Sequence, residues 1–284
     1  MSILINRLTE NFAAEIKGIN LSEKISQSDF SDIKTAFERY SILVFPNQSL
    51  TDEQQVVFSQ RFGDLENTIN SKQQGGAGKP VTVLTNVAKN GEVIAPEDRR
   101  MVFNTGNQMW HTDSSFKPIP AMMSLLSGRE VPPEGGETEF ASMRAAYEDL
   151  DDDQKSELEQ LICVHDFAYS RSLIDTGLLD REDKYELPPV RQAMIRKNPT
   201  NQRKNLFLGA HASYIEGWPI EKGRTLIKRL NKHITDCKYI YKHSWKRNDL
   251  VIWDNRCALH RGRPWKRTYR RVMHRTTVVG SMTV

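Results

Sequence analysis

Near its C-terminus the chain reads Arg271-Val272-Met273-His274-Arg275-Thr276-Thr277-Val278-Val279. A β-strand turns successive side chains to opposite faces. Arg271, Met273, Arg275 and Thr277 therefore share one face, and Val272, His274, Thr276 and Val278 the other. Strand-like runs recur just upstream at Asp249 to Trp253 and Lys238 to Trp245. From Val81 onward such runs dominate, with turn residues between them. Helices are expected to interrupt them over 142–162 and 220–234, the second with Leu226, Ile227, Leu230 and Ile234 on one stripe. This pattern predicts an α+β fold with a mainly β core: a double-stranded β-helix (jelly roll) with flanking and inserted helices, not a parallel α/β sheet.

The first part of the chain mixes helix and strand. Ser28 to Tyr40 has helical spacing of Ile33, Ala36 and Phe37. Ser41-Ile42-Leu43-Val44-Phe45 follows as a buried strand ending at Pro46. Thr51-Asp52-Glu53-Gln54 carries a capping signature and opens a helix to about Phe62. Residues 69–80 are glycine-rich and polar, which predicts a long loop of the kind that closes over active sites. Gly75-Gly76-Ala77-Gly78-Lys79 is no phosphate-binding loop: position 73 is Gln73, and Pro80 follows the lysine.

Composition narrows the function classes. The 284 residues are 38% hydrophobic and 27% charged, ordinary for a globular protein able to bury a core without disulfides. No apolar run approaches the ~20 residues that span a bilayer, and the first residues lack a signal-peptide pattern. The three cysteines, Cys163, Cys237 and Cys257, are too scattered for a disulfide framework and read as packing residues of a cytoplasmic protein. Net charge is only +4. Dedicated nucleic-acid binders usually carry a larger excess.

The sharpest chemical signal is Asn107-Gln108-Met109-Trp110-His111-Thr112-Asp113. On an extended strand His111 and Asp113 would point the same way, a neutral imidazole and a carboxylate converging on one ion. His260, just after the strand at 249–253, is the best third ligand. Two histidines and one carboxylate make the facial triad of non-haem Fe(II) oxygenases, with positions left open for cosubstrate and O2. Zinc prefers four ligands, and no H-E-x-x-H helix is present.

Two arginines facing the interior of such a fold are costly unless each meets an anion. The α-carbons of Arg271 and Arg275 would lie roughly 13 Å apart on a strand, which suits two anions better than one. One arginine would hold a cosubstrate and the other a substrate, each through a guanidinium fork. A second reading stands beside this. Positions 256–275 hold eight Lys or Arg and no acid, with Trp265 and Tyr269 interleaved, a pattern that also suits a nucleic-acid-binding module or a solvated face.

Beyond these patterns, the chain resembles the Fe(II)- and 2-oxoglutarate-dependent dioxygenases of the taurine dioxygenase superfamily. The likeness runs from Ala13-Ala14-Glu15-Ile16-Lys17-Gly18-Ile19-Asn20-Leu21 to the final strand. It is most similar to the 2,4-dichlorophenoxyacetate dioxygenase branch, through NQMWHTDSSF (107–116), VPPEGGETEFASMRAAYEDL (131–150), LFLGAHASYIEGWPIEKGR (206–224) and DLVIWDNRCALHRGRP (249–264). The resemblance implies that His111, Asp113 and His260 bind iron, and that Arg271 and Thr138 hold the far carboxylate of 2-oxoglutarate. It implies that Arg275 binds the acidic group of a small substrate, with Asn107 and Trp253 lining the pocket. His211 either touches substrate or packs. A frequent pocket-region histidine of the family is Asn198 here, and Lys72 in the expected lid is either a substrate-facing charge or a solvated lysine.

An aryloxyacetate is the implied substrate, cleaved to a phenol and glyoxylate while succinate and CO2 form. An alkylsulfonate such as taurine, or another aryl-alkanoate, is the alternative. The resemblance further implies one domain over 1–284, since ligands 149 positions apart must meet, and a cytoplasmic homo-oligomer with no nucleic-acid or membrane partner.

Overall fold

The computed structural model describes residues 3–10, 12–67, 80–179 and 187–281. The expected lid, Lys72 included, lies outside the described residues except for Pro80. The principal sheet has seven strands. Taken across the sheet they are β1 (Leu4–Arg7), β2 (Ala14–Lys17), β3 (Ile42–Phe45), β13 (Leu250–Asp254), β5 (Ala121–Glu130), β15 (Val272–Val279) and β4 (Thr82–Thr85). Neighbours are antiparallel except β2 and β3. A three-stranded sheet holds β12 (Ile240–His243), β6 (Thr138–Ser142) and β14 (Ala258–Gly262). Two smaller sheets join β11 (Ala212–Ile215), β7 (Ile162–His165) and β8 (Val190–Ala193), and β10 (Lys204–Leu206) with β9 (Ile195–Lys197).

Both faces of the principal sheet are covered at β3 and β13, so β3 and the first four residues of β13 are apolar at every position rather than at every second one. In β3, Ile42 and Val44 turn toward the three-stranded sheet, packing in one cluster with Phe140, Val251, Trp253, Ala258 and Met273. Leu43 and Phe45 turn the other way. They meet α1 (Gln27–Tyr40) through Phe30, Ile33 and Phe37, and α2 (Asp52–Gln60) through Phe58. The same alternation governs β15. Met273 faces the inter-sheet core, whereas the Thr276 hydroxyl meets Ser59 on α2 at 2.7 Å and the His274 carbonyl accepts from the Gln55 amide. The period-two reading of 272–279 therefore holds, and a bulge between Val272 and Met273 sets Arg271 just outside the strand.

The capping signature at 51–54 is present in full. The Thr51 hydroxyl accepts from the Gln54 backbone at 3.2 Å, and Gln54 Oε1 accepts from the Thr51 backbone at 2.8 Å. Thr51→Ala is expected to lower unfolding stability by about 1 kcal/mol, read as a shift of the urea midpoint at unchanged m-value. An unchanged midpoint would show that α2 is held by Phe58 packing alone.

Three expectations need correction. The helix predicted over 142–162 is two helices, α4 (Met143–Glu148) and α5 (Asp152–Glu159), because Asp151 caps a fresh start by accepting from the Gln154 backbone at 2.7 Å. The strand predicted from Lys238 begins at Ile240, after a 3-10 turn at Cys237–Tyr239. That turn exposes Cys237, which is therefore no packing residue, unlike the buried Cys163 and Cys257. Helices α3 (Arg99–Asn104) and α6 (Phe167–Ser172) also appear, and α7 (Ile220–Ile234) buries the stripe predicted for it.

Candidate active site

His111 and His260 meet through a single antiparallel bridge. Each donates its backbone N–H to the other's carbonyl, at 3.0 and 2.7 Å. The bridge joins the end of the 3-10 segment Thr105–Gln108 to β14 and brings together residues far apart in sequence. Asp113 follows in a turn that Ser114 closes at φ 57°, so the two residues do not share a strand as the spacing suggested. The turn nonetheless delivers the carboxylate. Ligand atoms of His111, Asp113 and His260 all lie within 4.8 Å of one another, and all three side chains are buried.

The surroundings prepare these groups to donate electron pairs. His111 Nδ1 lies 2.8 Å from the Met109 carbonyl, which favours a proton there and leaves Nε2 as the donor atom. Burial pushes both imidazoles down in pKa, well down for His260. Burial alone would push Asp113 up. The Arg275 charge, together with the adjoining imidazoles and the Ser124 hydroxyl, outweighs it and holds the carboxyl below its usual range. Arg275 Nη1 donates to Asp113 Oδ1 at 2.8 Å, and Ser124 Oγ donates to Oδ2 at 2.7 Å. Two neutral imidazoles and an ionised carboxylate are the donor set that a divalent first-row metal requires.

A cavity opens from this cluster toward β6 and the segment before β15. Thr138, Asn107, Trp253, His260, Arg271 and Arg275 are among its lining residues. Arg271 is a half-buried cation here, with its Nε fully enclosed. Its Nη2 donates to the Gly136 carbonyl at 3.3 Å, its Nε has no partner, and no carboxylate among the described residues pairs with it. Burial, then the nearby Arg267 charge, depresses it to about 10. Gly136 makes room for it: its φ is +69°, and a β-carbon there would lie 3.2 Å from Arg271 Nε. The Thr138 hydroxyl faces the same cavity while accepting from Trp245 Nε1 at 2.9 Å. A guanidinium without an anion among the described residues, in one cavity with a hydroxyl and two imidazoles, fits a carboxylate group of an anionic ligand.

A second compartment adjoins the first on the Asp113 side, with Arg275, Asn107 and His111 shared between them. One side of it is aromatic, and the rest is largely polar. Phe116 and Phe167 lie 4.5 Å apart, and His211 lies 4.8 Å from Phe116. His211 is buried, with Nδ1 unpartnered and its pKa pushed well down by burial. Asn198 belongs to neither compartment, because its side chain is spent on Glu38, at 3.1 Å, and on its own turn. The basic stripe is largely consumed by acids elsewhere in the chain. Arg256 pairs with Asp254 and Glu38, Arg261 and Arg263 with Glu139, and Arg270 with Glu130.

Two residues that no motif marks organise the site. Asn255, fully buried, accepts from the Asp113 backbone, the Thr112 hydroxyl and Trp253 Nε1, and donates to Ser124 Oγ at 2.9 Å. Asn86 accepts from the Arg271 backbone at 2.8 Å and donates to the Arg267 and Tyr269 carbonyls, fixing the chain that carries Arg271. The sequence signal for either was only an asparagine beside a strand end.

Comparison with known proteins shows the family. A family model described as taurine catabolism dioxygenase TauD, TfdA family matches residues 4–277. The alpha-ketoglutarate-dependent 2,4-dichlorophenoxyacetate dioxygenase of Burkholderia sp. (strain RASC) is 39% identical over 283 residues, covering 99% of this chain and 95% of that protein. The (S)-phenoxypropionate/alpha-ketoglutarate-dioxygenase of Sphingobium herbicidovorans is 33% identical, covering 96% of this chain and 93% of that one. Among solved structures, AAD-2 in complex with Mn(II) and N-oxalylglycine superposes with a TM-score of 0.92 at 41% identity, covering 100% of this chain and 99% of that one.

Proposed function

The chain belongs to the taurine catabolism dioxygenase TauD, TfdA family, and from that premise we propose that it hydroxylates a small aromatic acid, an aryloxyacetate, at the carbon next to the acidic group. It is an Fe(II)- and 2-oxoglutarate-dependent dioxygenase that uses O2. Three groups would hold the metal: His111, Asp113 and His260. When bound, iron with 2-oxoglutarate and O2 supplies the oxidising power, with succinate and CO2 as coproducts. The protein supplies position and charge.

Arg271 and Thr138 would bind the far carboxylate of 2-oxoglutarate. Arg275, already tied to Asp113, would orient the substrate's acid over the metal, and Asn107, between the two compartments, would border both ligands. His211, Phe116 and Phe167 would take the ring. Hydroxylation there gives a hemiacetal, which collapses to a phenol and glyoxylate. The same reading takes the 284 residues as one dioxygenase domain, its principal and three-stranded sheets as the two sides of a double-stranded β-helix. It also takes the protein as a cytoplasmic homo-oligomer without nucleic-acid partners. The unbridged thiols, of which burial pushes Cys163 up to about 12, accord with a reducing setting. No helix among the described residues is long and apolar enough to cross a membrane.

One observation carries the substrate class: the aromatic compartment abuts the metal cluster at its cationic end, Arg275. An arene with an acid on a short tether fits that order of groups. An alkylsulfonate would leave the aromatic walls unused. The test is succinate release across a panel running from phenoxyacetates and aryl-alkanoates to taurine. Phenoxyacetates should give the highest kcat/KM. A preference for taurine would overturn the substrate class and leave the chemistry standing.

A further inference from the structure

We propose that Arg171 determines specificity at this site: it is the cation by which the aromatic compartment selects an anionic arene over its neutral counterpart. The proposal rests on reading that compartment as the substrate's.

Arg171 and Phe167 lie one turn apart on α6 and line the compartment together. The Arg171 guanidinium carbon sits 4.7 Å from the ring centroids of both Phe103 and Phe167. The side chain is buried, its Nε has no partner, and Nη1 reaches only the Phe103 carbonyl, at 3.4 Å. No carboxylate among the described residues pairs with it. Arg275, the other arginine among the described residues on these walls, is bonded to Asp113. Among the described residues, the unneutralised charge of the compartment therefore resides at Arg171.

Taking a charge out of water without a counter-ion is costly, and such groups are kept where an anion completes them. Burial brings Arg171 down only to about 10, so it stays cationic at neutral pH. Its charge bears on both His111 and His211, which puts it within electrostatic reach of the metal end.

The chain also makes room for this side chain. A β-carbon on Gly106 would overlap Arg171 Nη1 and lie 2.7 Å from the guanidinium carbon. Only glycine at 106 leaves the guanidinium where it is. The two phenyl rings grip an acid and its amide alike, so discrimination falls to the charge. With the substrate's acid held at Arg275, the Arg171 charge on the wall of the same compartment should favour the acid over the amide by about 10- to 100-fold.

The experiment compares Kd values for phenoxyacetate and phenoxyacetamide on protein loaded with Mn(II) and N-oxalylglycine, by calorimetry. Wild type should prefer the acid. Arg171→Met should erode that preference by about 10- to 100-fold, and Arg171→Lys should recover part of it. Gly106→Ala keeps the arginine but displaces its guanidinium, and should erode the preference too. It carries the test if Arg171→Met does not fold. A preference unchanged in these variants, or equal loss of acid and amide, would overturn the proposal. A wild type that binds neither compound overturns the aryloxyacetate reading instead. The acid-to-amide ratio is then read on whichever acid of the panel supports succinate release.

Discussion

Asp113→Ala should abolish substrate-dependent succinate formation and weaken Fe(II) or Mn(II) binding by more than about 100-fold, beyond what losing an outer partner of a metal site usually costs. The carboxylate is the one anionic donor of the cluster, and the two imidazoles alone leave a cation uncompensated in a buried site. Asp113 also neutralises Arg275, so its removal leaves a half-buried charge without its partner. For that reason the variant's Tm must be measured beside its metal affinity. A folded protein that has lost metal supports the assignment. Near-normal turnover would sink it. His111→Ala should behave likewise. Asn255→Ala gives the graded version: it removes the acceptor for the Asp113 backbone and the donor to Ser124, while every metal donor stays in place. About a 10- to 100-fold loss of metal affinity is expected. No loss would show that the turn at 113–116 holds the carboxylate unaided.

Much of this architecture was legible in the sequence where one physical rule acts alone. The stripe of Leu226, Ile227, Leu230 and Ile234 predicts the buried face of α7 because helical periodicity has no competitor there. The alternation in 272–279 predicts which side chains meet α2 and which face the inter-sheet core. Elsewhere two rules compete. His111 and Asp113 invite a strand by spacing, but a long-range bridge to His260 and a left-handed Ser114 take over, and neither is encoded locally. The pairing of β1 with β2 is invisible because each strand is only four residues long and β1, at the sheet edge, is largely exposed. Asn255 and Asn86 go unnoticed for a related reason. Their value lies in satisfying backbone groups from three or more segments at once, and that property exists only after the chain has closed.

Arg271→Ala should raise the KM for 2-oxoglutarate by about 30- to 100-fold, the loss of about 2–3 kcal/mol expected of a charge-assisted pair in a buried site. The guanidinium has no carboxylate among the described residues to keep it when the cosubstrate leaves, so its binding energy is undivided. Arg275 differs in kind. It spends a hydrogen bond on Asp113, so Arg275→Ala should raise the substrate KM and also loosen the metal cluster, lowering kcat. The two variants therefore separate on three axes: 2-oxoglutarate KM for Arg271, and substrate KM with metal affinity for Arg275. Steady-state titration of each ligand at saturating levels of the other, with a parallel metal titration, reads all three. If both substitutions raise the same KM and neither moves metal binding, the two guanidinia serve one anion. The two-compartment account of the cavity would then fail, because its geometry separates a cation facing Gly136 and Thr138 from one facing Asp113.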